Sequence, residues 1–363
     1  MKVPYNDLSR VNGEFVEEFL EDVVDIIEGS SIIGGRHVEE FETRFGEMVG
    51  RPAAGVSNGT DALAVILRAL ELEPKDDRYI YYPANTFIGS ILSGINMGFK
   101  FKPFDVELTT LNAPRSFRPP DDAQAVVLVH LYGYGVKGAG TLATRCRSAG
   151  IPLIEDCSQS HFQKVLGRDV GTFGDAGFFS CYPGKNLGAL GDAGVIIGSD
   201  SLVAKAKALR SYGCVKKHGY EYVGFNHRLD AIQAAFLTHK LKYSTLDISM
   251  RRDVVADLLR ACSGNDDILS LDVGIDESVW HVFPVLVEDR NAFIEHMEAH
   301  EVQCVIHYPT VIHKEHTFSR WVVDVECPIA EYAAKHVVSI PCHGRMRDEE
   351  VKVVCKAIDS FRN

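Results

Sequence analysis

Lys185 has the clearest chemical use of any residue in this chain. It lies in Ser180-Cys181-Tyr182-Pro183-Gly184-Lys185-Asn186-Leu187-Gly188, between two apolar runs, Ala176-Gly177-Phe178-Phe179 and Ala193-Gly194-Val195-Ile196-Ile197-Gly198. A turn held between two buried strands fixes its backbone, which suits a covalent amine better than a solvated charge. Ile151-Pro152-Leu153-Ile154-Glu155-Asp156 reads as a short strand ending in two carboxylates, and ligands of open α/β sheets collect at the carboxyl ends of strands. Val56-Ser57-Asn58-Gly59-Thr60-Asp61-Ala62-Leu63 is a small polar turn that opens an apolar helix. Free N–H groups and the positive dipole end of such a helix favour a phosphate. Singly, each feature has an ordinary explanation: an exposed turn lysine, a structural acid, or Asn58 and Thr60 as helix caps.

Together, a phosphate cradle, a strand-end acid and a turn lysine are the parts that a pyridoxal 5'-phosphate (PLP) site requires. The lysine holds the cofactor aldehyde and, once freed, moves a proton between substrate carbon and cofactor carbon. An ordinary lysine of pKa about 10.4 is neutral in only roughly one molecule in a few thousand at pH 7, so the amine must be enclosed. The acid keeps the pyridine nitrogen protonated and the ring an electron sink.

Further runs continue the pattern in order: Ile33-Gly34-Gly35-Arg36-His37-Val38-Glu39-Glu40-Phe41-Glu42, Pro83-Ala84-Asn85-Thr86-Phe87-Ile88, Cys157-Ser158-Gln159-Ser160-His161, and Gly224-Phe225-Asn226-His227-Arg228-Leu229-Asp230-Ala231. Over nearly the whole chain the sequence resembles the DegT/DnrJ-type sugar-nucleotide aminotransferases, fold-type-I PLP enzymes. The resemblance implies Lys185 as the Schiff-base lysine, Asp156 on the pyridine nitrogen and Gln159 on the ring hydroxyl. It implies phosphate contacts from Gly59, Thr60 and Ser180, Phe87 against the ring, and Asn226 reaching the phosphate of the neighbouring subunit in a homodimer with shared active sites. His161, Arg228, His307, Tyr308 and His313 are implied as substrate contacts. The implied reaction moves an amino group from L-glutamate, leaving 2-oxoglutarate, to a keto sugar on a nucleoside diphosphate. Val305-Ile306-His307-Tyr308-Pro309 followed by His313 resembles members that aminate C3 of a dTDP-linked 3-keto-6-deoxyhexose, with C4 amination as the alternative. Relatives with histidine at the lysine position are dehydratases, and this chain keeps the lysine. A cyclitol aminotransferase and a PLP-binding regulator are the remaining alternatives. Cys157, Cys181 and Phe162-Gln163 depart from the family pattern beside the acid and the lysine, where they are expected to reshape the substrate pocket and leave the cofactor set intact.

The 363 residues are 46% hydrophobic and 24% charged, with a net charge of −12. That is enough chain for a large and a small domain and offers no basic patch for nucleic acid, Lys216-Lys217-His218 being too short to act as one. Nine scattered cysteines without a C-x-x-C pair read as reduced core residues. His307 to His316 lacks zinc-type spacing, so no metal is expected. The polar start and the lack of any long apolar run point to a cytoplasmic protein without a membrane span.

The elements that must position these residues follow from the apolar spacing. Helices are expected over 13–28 and 61–72, and strands over 79–82, 99–104, 125–131 and 152–155, with helical stretches such as 141–148 between some of them and a loop at 112–122. This order argues a three-layer α/β sandwich with a mainly parallel central sheet over residues 1–245. A smaller α/β domain over 246–363 is expected to contain strand, helix, strand at 279–287, 290–300 and 303–308, and a closing helix at 349–361.

Overall fold

The computed structural model describes residues 2–216 and 219–362, so Lys217 and His218 of the basic cluster lie outside the described residues. The chain opens with α1 (Leu8–Asn12), α2 (Val16–Glu28) and α3 (Arg36–Val49). It continues through β1 (Ala53–Val56), α4 (Gly59–Ala69), β2 (Tyr79–Pro83), α5 (Leu92–Asn96), β3 (Phe101–Phe104), β4 (Ala123–Val129), α6 (Ala139–Ala149) and β5 (Leu153–Asp156). After a hairpin of β6 (Lys164–Val165) and β7 (Arg168–Asp169) come β8 (Ala176–Ser180), β9 (Gly194–Gly198) and α7 (Asp200–Leu209). A second hairpin, β10 (Cys214–Lys216) with β11 (Gly219–Tyr220), leads to α8 (Ala231–Leu241) and α9 (Ser244–Ser263). The last part holds β12 (Ile268–Ser270), β13 (Phe283–Val287), α10 (Arg290–Ala299), α11 (Pro328–His336), β14 (Val337–Ile340) and α12 (Asp348–Ser360).

Seven strands form the central sheet in the order β1-β9-β8-β5-β4-β2-β3. It is parallel except for β9, which runs antiparallel to both its neighbours, β1 and β8. Every residue of β4, β5 and β9 is buried, which is why these strands read as unbroken apolar runs rather than alternating ones. Helices α4, α5 and α7 pack together, as do α2, α3 and α8. Four strand-to-strand steps therefore leave their carboxyl ends, with Asp156 and Ser180, on the same edge as the start of α4.

The expected helices over 13–28, 61–72, 290–300 and 349–361 appear as α2 with a preceding 3-10 turn, α4, α10 and α12. The division at 245/246 falls at the start of α9. Two expectations fail in the last third. Only Phe283–Val287 of 279–287 is a strand: Trp280 takes a left-handed conformation (φ 49°), and Val279 and Val282 donate to the carbonyls of Gly133 and Tyr132. The segment 303–308 is no strand; Val305 makes one isolated bridge to Ser339 before the chain is drawn toward the central sheet by Tyr132 and Gln159. The three-stranded sheet is completed instead by β14, in the order β12-β13-β14. One continuous hydrophobic core runs through both sheets, from Val38 on α3 to Phe361. Among the described residues no helix is long and apolar enough to cross a membrane.

Candidate active site

A cavity of about 770 Å³ opens at the carboxyl ends of β4, β5 and β8. Its walls bring together Gly59, Thr60, Phe87, Asp156, Gln159, Ser180, Lys185, His307 and Tyr308 from the residues singled out in the sequence.

Strand alternation separates the two carboxylates that end β5. Glu155 turns into the core, where its oxygens accept from the N–H groups of Gly171 (2.9 Å) and Gly174 (2.7 Å) and pair with His130 Nε2 (3.0 Å). Asp156 faces the cavity and is held at both oxygens: Oδ2 accepts from Ser90 Oγ (2.6 Å) and Oδ1 from the Ser158 N–H (2.9 Å). Gln159 is fixed as firmly. Its Oε1 must be the acceptor because the Tyr132 N–H donates to it (2.7 Å), which leaves Nε2 to donate to the Tyr308 hydroxyl (3.0 Å). Tyr132 has a left-handed backbone (φ 64°), a strained conformation for a bulky residue, and its hydroxyl donates to the His307 carbonyl (2.7 Å). Sequence reasoning missed Tyr132; its place just past the end of β4 was the available signal.

Asn58 caps α4, its side chain accepting from the Asp61 N–H (2.8 Å). The N–H groups of Gly59 and Thr60 in the first turn have no acceptor within the helix. Glycine is required here by close approach: a Cβ on Gly59 would lie 2.7 Å from Ser180 Cβ, and one on Gly194 would lie 2.5 Å from the Asn58 carbonyl carbon. Strands β8 and β9 thus press against the start of α4 and set Ser180 beside it.

Lys185 rises from the turn between β8 and β9, its N–H bonded to the Tyr182 carbonyl (2.8 Å). A second buried lysine, Lys240 on α8, braces the turn by donating to the Gly188 carbonyl (3.1 Å) and to Asn12 Oδ1 (3.1 Å). Burial lowers the Lys185 amine to about 8 against the opposing pull of Asp156 and Cys181. No hydrogen bond holds its Nζ among the described residues, so the amine is free to react and far more often neutral than an exposed lysine.

The facing wall comes from distant segments: Tyr5, Asn6, Arg251, His281, Val282, Val305, His307, Tyr308, Cys342 and His343. Tyr308 packs at a tilt against Phe87, with ring centroids 5.6 Å apart. His307 Nδ1 meets Ser339 Oγ (2.9 Å), and burial, then Lys185, lowers it to about 4. Sequence reasoning missed Tyr5, Asn6, Arg251, His281 and His343, since no spacing along the chain connects them.

Residues 14–359 match the DegT/DnrJ/EryC1/StrS aminotransferase family. The chain belongs to this family. It is 34% identical over 366 residues to the dTDP-3-amino-3,6-dideoxy-alpha-D-galactopyranose transaminase of Aneurinibacillus thermoaerophilus, with 99% of each chain covered. It is 29% identical over 369 residues to the UDP-N-acetyl-3-dehydro-alpha-D-glucosamine 3-aminotransferase of Acidithiobacillus ferrooxidans, covering 98% of this chain and 97% of the relative. The crystal structure of DesV from S. venezuelae in complex with a ketimine intermediate superposes with a TM-score of 0.92 at 28% identity, over 99% of this chain and 98% of that one.

Aminotransferases of this family use PLP, and the first wall fits that cofactor. The bare N–H groups at the start of α4 and the pressed glycines suit a phosphate, the pinned Asp156 suits a protonated ring nitrogen, and Lys185 is enclosed and depressed.

Four of the aminotransferase residues named from sequence lie off the cavity wall of the chain. His161 is fully buried among Phe179 (5.3 Å), Phe162 (6.3 Å) and Cys181, and burial, then Lys185 and Lys240, lowers it to about 3. Arg228 lies over the Tyr212 ring at 5.2 Å. His313 is buried beside Glu331 (3.4 Å). Asn226 is exposed and bridges to Ser211. Cys157 and Cys181 are buried behind the wall rather than lining it, and Phe162 packs on Phe45 at 5.7 Å, so these departures alter the core behind the site.

Proposed function

We propose that this aminotransferase carries nitrogen from L-glutamate to the keto carbon of a nucleoside-diphosphate-linked keto sugar, with C3 of a dTDP-linked 3-keto-6-deoxyhexose as the first substrate to test. The observation that carries the reading is the pairing of two unlike walls: one with Lys185, Asp156, Gln159, Gly59, Thr60 and Ser180, the other rich in hydrogen-bonding side chains, His307 and Tyr308 among them. The relatives named for 3-amino sugars support C3.

In this reading Gly59, Thr60 and Ser180 hold the phosphate, Phe87 lies against the ring, and the second N–H of Gln159 Nε2 is left for the ring hydroxyl. Bound PLP supplies an aldehyde and a ring that takes up the electron pair left on the substrate carbon. Asp156, held at both oxygens, keeps a proton on the nitrogen facing it. Lys185 Nζ moves the proton between the two carbons, a task its lowered pKa suits. His307 and Tyr308 orient the sugar from the opposite wall, and the two substrates use the space in turn.

A homodimer belongs to the same proposal. Leu190 and Val223 are exposed apolar side chains outside the cavity, and Asn226, three residues beyond Val223, is exposed as well, which fits Asn226 of the partner subunit completing the phosphate cradle. Mixed dimers of Lys185→Ala and an inactive Asn226 variant should regain activity; mixed dimers that stay inactive would refute a shared site. Substrate identity is tested by mass spectrometry of products from 15N-glutamate and a panel of nucleotide-linked keto sugars. A 15N-labelled amino sugar is expected, and its fragmentation gives the carbon aminated. Labelling of free cyclitols but of no nucleotide sugar would overturn the substrate class.

A further inference from the structure

Arg251, on α9, is a guanidinium with only 6% of its surface exposed, and it lines the cavity. One of its five donors is used, by Nη1 to the Trp280 carbonyl at 3.3 Å, with the Cys342 thiol alongside. It has no ion pair among the described residues. The acid one turn earlier on the same helix, Asp247, is taken by Arg345 (2.9 Å). A buried cation without an anion is costly to a fold, by several kcal/mol in the general case, unless something else neutralises it.

The surroundings of Arg251 also lack partners. His343 is 2% exposed, and neither of its ring nitrogens has a hydrogen-bond partner. The Tyr5 hydroxyl and Asn6 Oδ1, on the same cavity wall, are buried atoms in the same condition. His281 is held by Asn186, next to Lys185: Asn186 Nδ2 donates to the Val279 carbonyl (3.0 Å), so its Oδ1 accepts from His281 Nδ1 (3.3 Å). The imidazoles of His281, His307 and His343 are all driven toward the neutral form, chiefly by burial. The cavity-lining neighbours of Arg251 are thus neutral groups that can donate or accept, while the charges that act on this end from outside them, Asp247 on Arg251 and Arg10 and Glu350 on His343, are bonded elsewhere.

We infer that this end of the cavity binds a carboxylate of the amino donor, with Arg251 as the residue that selects for it. The inference rests on glutamate as the donor in the proposed function. A planar guanidinium matches a carboxylate with two parallel bonds, and a single buried charge balances a single carboxylate. A nucleoside diphosphate brings at least two negative charges and a base and ribose that need an open mouth, which a nine-tenths-buried arginine does not offer.

Calorimetric titration of the holoenzyme in its aldehyde form, which has no amino group to give to 2-oxoglutarate, with 2-oxoglutarate and separately with dTDP and UDP tests the inference. Arg251→Gln should raise the Kd for 2-oxoglutarate about 10- to 100-fold and leave nucleoside diphosphate binding unchanged. Arg251→Lys keeps the charge and loses the fork, so it should bind 2-oxoglutarate with intermediate strength; it also serves if the glutamine variant does not fold, as judged by melting temperature and bound cofactor. Unchanged 2-oxoglutarate affinity in either folded variant, or a loss confined to dTDP and UDP, would overturn the inference while leaving the donor reading intact. Wild-type enzyme that is not aminated by glutamate at all would instead sink the donor assignment, and the carboxylate subsite with it.

Discussion

The two walls of the cavity are built on opposite terms. On the strand-end wall the carboxylate and the amide are bound to the protein itself: Asp156 by Ser90 and Ser158, Gln159 by Tyr132 and Tyr308. On the facing wall Tyr5, Asn6 and His343 have buried polar atoms with no partner, and Arg251 makes no ion pair among the described residues. Buried polar atoms are normally satisfied, so under the proposed function the contrast separates a wall that fixes one permanent occupant from a wall whose partners arrive with the substrates. The two buried lysines show the same division. Burial lowers both to about 8, yet Lys240 is spent on two hydrogen bonds that hold the turn while Lys185 is left free within it.

The largest expected effect lies on the strand-end wall. Lys185→Ala should lower transamination by about two to four powers of ten, the usual worth of a positioned proton-transfer group, or more where the covalent role is also lost. Borohydride reduction of the wild-type holoenzyme followed by peptide mapping should place the pyridoxyl group on Lys185, and modification of Lys240 instead would reverse the contrast between the two lysines. Next is Asp156→Asn, which keeps shape and removes charge. Loss of one partner of a buried pair costs about 3–5 kcal/mol, so the rate should fall by roughly two to four powers of ten if that loss is felt in the transition state. A near-normal steady-state rate would make the pinned carboxylate structural.

The facing wall and the core behind the lysine should reveal themselves through acid. His307 and His343 are lowered to about 4 and His161 to about 3, so the unfolded chain takes up protons near pH 6.5 that the folded chain refuses. Their contribution is present above pH 6.5 and is lost as pH falls toward 4, by about 1.4 kcal/mol per group and pH unit. Urea midpoints measured from pH 7.5 to 4.5 should therefore drop with acid, and His343→Phe should flatten the slope. The smallest effect is expected where the walls touch. Tyr308→Phe removes the hydroxyl that receives Gln159 Nε2, worth about 0.5–1.5 kcal/mol, and should slow turnover by no more than about tenfold; a larger loss would give Tyr308 a part in the chemistry.

The strand-end wall was legible because each of its parts is a local pattern. A polar turn before an apolar helix, an acid closing an apolar run and a lysine in a glycine-rich turn are visible within ten residues of sequence. The facing wall was not. His307 and Tyr308 were found, but in an expected strand that the structure does not form, because Tyr132 and Gln159 hold the segment toward the central sheet and away from β14. His161 looked like a site residue from its closeness in sequence to Asp156 and Gln159, yet the turn after β5 folds it into the aromatic core.

By itself the sequence determined the parallel sheet, the start of α4, the roles open to Lys185 and Asp156, and membership of a PLP aminotransferase pattern. These follow from hydrophobic period and turn chemistry, which act between near neighbours. Only the tertiary structure decided that residues 5–6, 251, 281, 305–308 and 342–343 share one wall, that Glu155 turns into the core while Asp156 faces the cavity, and that Lys240 braces the turn that carries Lys185. Such choices depend on contacts between segments hundreds of residues apart, and the burial that lowers Lys185, Lys240, His161, His307 and His343 exists only once those segments have met.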